Sequence, residues 1–292
     1  MSLHHYMTFS KSNQRQILNL ISGHCCWSLA ILGVSLIGSQ LSGTSLWWST
    51  AFMLLQLYLA AQLLLPILLL KEEKRSRHFY LFWGGTLLLC IWLINQFPNL
   101  PLQQPLTAIK SGFLMLVATL VGAALARYVQ RLWEIIPIGI AMTLADFASW
   151  MFGPTANFTE QLKQYYRHPI GPPPMIDMVL IKFATPGSDM LVPVFGISDW
   201  IMVVFFVMVA DRFGINDNLI GATGTVLARQ KKFGRYLPVS VVALFCAVSL
   251  AQISGVFIPA LPLIALLMSL WYAIYQVRHN TPSYNKDHPD HD

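Results

Sequence analysis

The chain has 292 residues, of which 55% are hydrophobic and only 11% charged, and its mean hydropathy is +0.55. A water-soluble domain carries roughly 25% charged residues, so this composition excludes an ordinary soluble fold. The formal charge of +6 is spread over short segments between apolar runs, which argues against a nucleic-acid partner and fits the loops of a membrane protein. Four cysteines (Cys25, Cys26, Cys90 and Cys246) fall inside apolar runs without a C-x-x-C spacing and read as buried thiols.

Residues 1–15 are polar, and no cleaved signal peptide is expected ahead of the first apolar run. Eight runs follow, at 20–40, 46–70, 79–97, 109–127, 133–153, 189–210, 236–254 and 258–277, each long enough to cross a bilayer as a helix. Backbone groups in lipid must bond within their own segment, and the runs are continuous rather than alternating, so helices are expected and a β-barrel is not. The expected fold class is an all-α polytopic membrane protein with about eight transmembrane helices. The longest connection, 154–188, contains Gly171-Pro-Pro-Pro174 and a short apolar stretch, 175–184, broken by Asp177 and Lys182. That stretch is too short to span and reads as an interfacial or re-entrant piece. A second loop, 211–235, ends in a basic cluster, and residues 279–292 read as a disordered cytoplasmic tail.

Placing the loops alternately on two sides puts 15 of the 19 Lys and Arg on the side of both termini and 4 on the other. The positive-inside rule therefore puts both termini in the cytoplasm and the 154–188 loop outside. Asn157-Phe158-Thr159 in that loop matches a glycosylation sequon, a short match of low specificity.

Two acids fall within apolar runs. Asp146 lies inside the fifth run, and Asp199 is expected near the middle of the sixth. An ionisable group at that depth is costly and marks function by default. No Lys or Arg occupies the middle of a span to neutralise either acid, and His24 is the only other candidate partner. Consecutive spans are expected to be neighbours, so the two carboxyls could share one proton. Three readings stay open on burial alone: protonated acids bonded to neighbouring backbone, a proton or ion relay, and two-carboxylate hydrolysis of a carbonyl bond. The eighth run opens with Ile258-Pro-Ala-Leu-Pro-Leu263, where two prolines leave backbone carbonyls without partners. Such irregular backbone is tolerated at membrane depth where it is buried in protein or lines a water-filled cavity.

An Asp in one span, Gly196-Ile-Ser-Asp199 in the next and Pro259-Ala260-Leu261 opening the last resembles the presenilin and signal peptide peptidase family of intramembrane aspartyl proteases. Arg212-Phe213 also resembles the signal peptide peptidases. The likeness covers about 133–277; Ala145 stands where the family has Tyr, and Ser198 where it has a second Gly. The resemblance implies that Asp146 and Asp199 activate water and cleave a peptide bond within the membrane. It implies that Gly196, Ser198, Pro259, Ala260 and Leu261 shape the ground on which substrate lies. It also implies a division into N-terminal helices at 1–131, a presenilin-like catalytic core at 132–278 and a tail at 279–292. With the amino terminus inside, the fifth span runs outward, the sense found in signal peptide peptidases. Expected substrates are then leftover signal peptides or other transmembrane segments with cytoplasmic amino termini. Unwound substrate could add as a strand to an edge near 175–188 or 211–235.

Competing readings are a prepilin-peptidase-like enzyme, a proton-coupled carrier using the same two acids, and an inactive relative. No cofactor or metal site is expected, because the eight histidines show no H-E-x-x-H pattern. Gly-x-Ser-x-Gly and nucleotide-binding glycine loops are also missing from the sequence. The expected setting is a prokaryotic inner membrane, with the lipid bilayer and a transmembrane peptide as partners.

Overall fold

The structure, a computed structural model, describes residues 11–41, 46–70, 77–96, 103–152, 155–168, 173–188, 190–254 and 259–280. Lys71, Lys74, Arg75, Gly171, Pro172 and most of the expected tail lie outside the described residues. The helices in chain order are α1 (Lys11–Gly38), α2 (Leu46–Gln62), α3 (Leu64–Leu68), α4 (Arg77–Gln96), α5 (Gln103–Ala126), α6 (Ile135–Met151) and α7 (Thr155–Arg167). After them come strands β1 (Leu180–Phe183) and β2 (Val192–Gly196), then α8 (Ile197–Arg212), α9 (Gly224–Arg229), α10 (Val239–Ser254) and α11 (Ala260–Asn280).

The chain is mostly helical. Among the described residues, five helical stretches are long and apolar enough to cross a membrane: Arg15–Gly38, Trp47–Leu68, Gln104–Ala126, Leu132–Ser149 and Ala260–Arg278. Their outward faces are apolar too. On α6, Ile136, Ile140, Leu144, Phe147 and Met151 recur at steps of three or four and are exposed, a stripe suited to lipid rather than water. Cys25 and Cys26 share this outward position, and Cys90 and Cys246 are only half-buried, so the thiols are not the buried core groups expected. A helix in lipid buries fewer of its apolar residues in protein, because the bilayer is itself an apolar solvent.

Local chemistry explains where the expected spans depart from continuous helices. The run 46–70 breaks between α2 and α3 because Pro66 has no N–H to give to Gln62, and Leu63 turns back to Ala60 O at 3.0 Å instead. The run 189–210 is helical only from Ile197. Val192, Pro193, Val194 and Phe195 form β2, which pairs antiparallel with β1, and Pro193 sits opposite Lys182 beside a register shift at Ile181/Lys182. The helical fold class expected holds, with one two-stranded hairpin added, and Asp199 lies in the first turn of α8 rather than mid-span. The sequon at 157–159 falls on α7, an amphipathic helix, rather than in an open loop.

Helices α5 and α8 form the most extensive contact of the fold, and α1 also packs on α5. Gly122 permits the α5–α8 approach: a Cβ there would lie 2.5 Å from Ile201 O and 2.8 Å from Val204 Cβ. Arg212 closes the far end of α5 by donating to Ala126 O at 3.2 Å and Arg127 O at 2.8 Å, where positive charge suits the carbonyl end of a helix. In the C-terminal part α11 packs against α6, α8 and α10. A Cβ built on Gly139 of α6 would lie 3.4 Å from Ala265 Cβ of α11, and Tyr272 on α11 donates to Phe206 O on α8 at 2.8 Å.

Candidate active site

Asp146 and Asp199 face one cavity of about 350 Å³. They reach it from different directions. α6 packs chiefly against α11 and α7, while α8 packs against α5, α10 and α11, so α11 joins the two acid-bearing helices in place of the direct packing expected of consecutive spans.

Each acid meets the backbone at the start of a helix. Asp199 is the third residue of α8, and its Oδ2 accepts the Gly196 N–H at 2.8 Å across the strand-to-helix junction. Asp146 accepts the backbone N–H of Leu261 in the first turn of α11. That N–H belongs to the group every helix leaves unpaired at its N-terminus, where partial positive charge favours a carboxylate. Asp146 Oδ2 is buried and has no hydrogen-bond partner among the described residues. A cavity thus receives two carboxyls, each with one oxygen held by the backbone at a helix start.

Of the other residues singled out in the sequence, Gly196, Ser198 and Ala260 line the cavity, and Leu261 touches it through its backbone contact with Asp146. Pro259 is buried just ahead of α11 and is not among the lining residues. Ser198 is exposed to the cavity, and a Cβ at Gly196 would lie 3.3 Å from Ser198 Oγ and 3.6 Å from Asp199 Oδ2. His24 is no partner of either acid. Its Nδ1 bonds Leu20 O at 2.8 Å, and its Nε2 faces Thr119 Oγ1 at 3.5 Å, inside the α1–α5 contact.

The 180–184 edge is closed to an incoming strand. Lys182 N–H donates to Ser111 Oγ at 3.1 Å and Ala184 N–H to Gln56 Oε1 at 2.8 Å, so neighbouring helices already take its donors. The 211–235 segment forms one isolated bridge, Asn218 to Pro238, and no strand among the described residues. On β2, by contrast, Pro193, Val194, Phe195 and Gly196 all line the cavity.

A second group escaped the reading of the sequence. Lys110 on α5 and Lys182 on β1 both reach Asp177 Oδ2, at 3.4 and 2.6 Å, and Tyr166 OH donates to Asp177 Oδ1 at 2.8 Å. Lys110 also donates to Asn95 Oδ1 at 2.9 Å and Asp177 O at 3.2 Å. All three charged side chains are buried. The signal was present: Asp177 and Lys182 are the charges that interrupt an apolar stretch, and Lys110 opens an apolar span. Comparison of the chain with protein-family models, curated proteins and solved structures gives no match.

Proposed function

We propose that the protein is an intramembrane aspartyl protease that hydrolyses peptide bonds within transmembrane segments or leftover signal peptides. The observation that carries this reading is the meeting of Asp146 and Asp199 in one cavity whose wall is completed by the start of α11. The resemblance of the three motifs to the presenilin and signal peptide peptidase family supports it from the sequence side.

In the proposed mechanism one carboxylate takes a proton from water while the other, as an acid, protonates the carbonyl oxygen of the scissile bond. Gly196 leaves room beside Asp199, and the Pro193–Gly196 backbone offers an unwound substrate a place to lie extended. Ser198 narrows that room, so the enzyme favours substrates with a small side chain at the scissile bond. α4, α8 and α10 are counted as further crossings, giving eight, with both termini cytoplasmic in a prokaryotic inner membrane. Substrates enter with their amino termini on the cytoplasmic side, following the 15-to-4 distribution of Lys and Arg.

A second reading is favoured by one specific contact. The bond from Gly196 N–H to Asp199 is what a purely structural helix cap would also make. Under that reading the protein is an inactive relative. A peptide isostere with a hydroxyl in place of the scissile carbonyl, carrying a photoreactive group, separates the two. Labelling of the wild type that is lost in both Asp146→Asn and Asp199→Asn supports the protease, and labelling unaffected by either substitution contradicts it.

A further inference from the structure

The Lys110–Asp177–Lys182 group has more positive charge than it neutralises. Two buried ammonium groups share one carboxylate, and the remaining polar partners, Asn95 and the Tyr166 hydroxyl, are uncharged. Lys182 Nζ makes one hydrogen bond among the described residues and lies 5.4 Å from the centre of the Tyr166 ring, which leaves two of its N–H donors free for a ligand. Burial pulls the Lys182 ammonium below the ordinary lysine range in spite of Asp177. Keeping two desolvated cations on one anion is expensive unless a further anion joins them.

A cavity is present for that anion. About 90 Å³ of space is bounded by Lys110, Lys182, Asp177, Tyr165, Tyr166 and Gln104, enough for a carboxylate but too small for the body of a lipid. β1 and α7 each contribute lining residues both to it and to the cavity of the two aspartates. Leu180, which lines the aspartate cavity, and Lys182, which lines this one, are two residues apart on β1 and so share a face of the strand. Leu162 lines the first cavity and Tyr165 and Tyr166 the second, and the spacing of three and four residues puts them on one face of α7. Along β1 the separation is about 7 Å. An extended peptide covers that distance in about two residues.

We infer that the Lys110–Lys182 cavity binds the free carboxyl terminus of the peptide substrate, a few residues beyond the bond presented to Asp146 and Asp199. The inference rests on the protease reading and its orientation, in which the start of α5 faces outward. A leftover signal peptide with its amino terminus in the cytoplasm ends on that outer side in a newly made carboxylate. The site thus separates such remnants from intact membrane proteins, whose chains continue past it without a charge.

The test compares two signal-peptide-like peptides, identical except for a carboxylate or a carboxamide at the C-terminus. Their binding to the full-length Asp199→Asn protein in neutral detergent is followed by fluorescence anisotropy. The acid is expected to bind at least tenfold more tightly. Lys182→Gln, made in the same protein, is expected to erase the difference, and Lys182→Arg to keep it. If Lys182→Gln does not fold, the acid-to-amide ratio of the folded Asp199→Asn protein decides alone. Equal binding of the two peptides overturns the inference, as does Lys182-dependent retention of an anionic phospholipid without an acid preference, which would assign the cavity to a lipid phosphate. Because binding is read in a protein that does not cleave, an acid preference can stand while wild-type cleavage fails, and that outcome would sink the protease reading alone.

Discussion

Gln56 and Ala184 are joined by two hydrogen bonds across 128 positions of sequence. The Gln56 amide donates to Ala184 O at 2.7 Å, and its Oε1 accepts Ala184 N–H at 2.8 Å. A buried side-chain amide on α2 therefore takes the place of a third strand at the end of β1. Six positions on, Gln62 repeats the device at the C-terminal end of α2, accepting Gly234 N–H at 2.9 Å and donating to Tyr236 O at 2.8 Å. One helix thus fixes both irregular segments of the chain.

Gln56→Leu strips both partners from Ala184 and leaves a buried N–H and C=O unsatisfied, at about 1–3 kcal/mol each. A melting temperature lowered by several degrees in detergent is the expected result. Gln56→Glu, which keeps the acceptor, should fall between Leu and wild type. Unchanged melting of Gln56→Leu would show that water replaces the amide.

The α5–α8 contact tolerates no side chain at Gly122. Gly122→Ala places a methyl against backbone, not against a flexible side-chain end, so the helices must separate at a cost of about 1–3 kcal/mol. Gly33, which has open space around its position, is the control: Gly33→Ala is expected to leave the melting temperature unchanged or slightly raised.

Ser198 and Gly196 set the width of the cavity beside Asp199. Ser198→Gly should raise the rate of peptide cleavage several-fold for substrates with bulky residues at the scissile bond. Gly196→Val should lower cleavage by at least about tenfold, since small misplacements near reacting groups cost large factors in rate. A Ser198→Gly rate profile identical to wild type across substrates would place the narrowing elsewhere.

Asp217, in the loop after α8, gives the fold a pH dependence. Burial pushes its carboxyl up to about 7, opposed by the hydrogen bonds from Tyr236 OH, at 3.0 Å to Oδ2, and from its own backbone, and assisted by the nearby Asp211. Its folded-state pKa therefore lies above the unfolded value of 3.8, and the folded protein holds the proton more tightly. Stability from this group is present at pH 4 and is lost as pH rises towards and through 7, each pH unit being worth roughly 1.4 kcal/mol. Melting temperatures measured from pH 5 to 8 should decline in the wild type, and the decline should be shallower in Asp217→Asn.

The mostly helical, apolar character of the chain, five of its long apolar helices and the two acids that come to line one cavity were legible in the sequence because apolar length and charge within an apolar run are local signals. The chain from 192 to 196 misled, since a run of Val, Pro and Phe is apolar in either state. Only pairing with β1, itself anchored by Ser111 and Gln56, makes it a strand. That hairpin moves Asp199 from mid-span to a helix start. The Lys110–Asp177–Lys182 group was hidden for a related reason: its members are 67 and 5 residues apart and meet only when the hairpin folds against α5. The outward placement of Cys25 and Cys26 was likewise invisible, because hydropathy does not tell a lipid-facing position from a core one.

The most direct test of the two-aspartate site is cleavage of a signal-peptide-like transmembrane peptide by the purified protein, followed by mass spectrometry. Wild type should be compared with Asp146→Asn and Asp199→Asn, and in the latter Asn still accepts the Gly196 N–H, so the start of α8 is preserved. Products cut within the apolar stretch by wild type, and reduced at least about a thousandfold by either substitution, are the predicted result. Cleavage that survives either substitution, or a folded wild type that cuts no such peptide of either orientation, would contradict an Asp146–Asp199 protease.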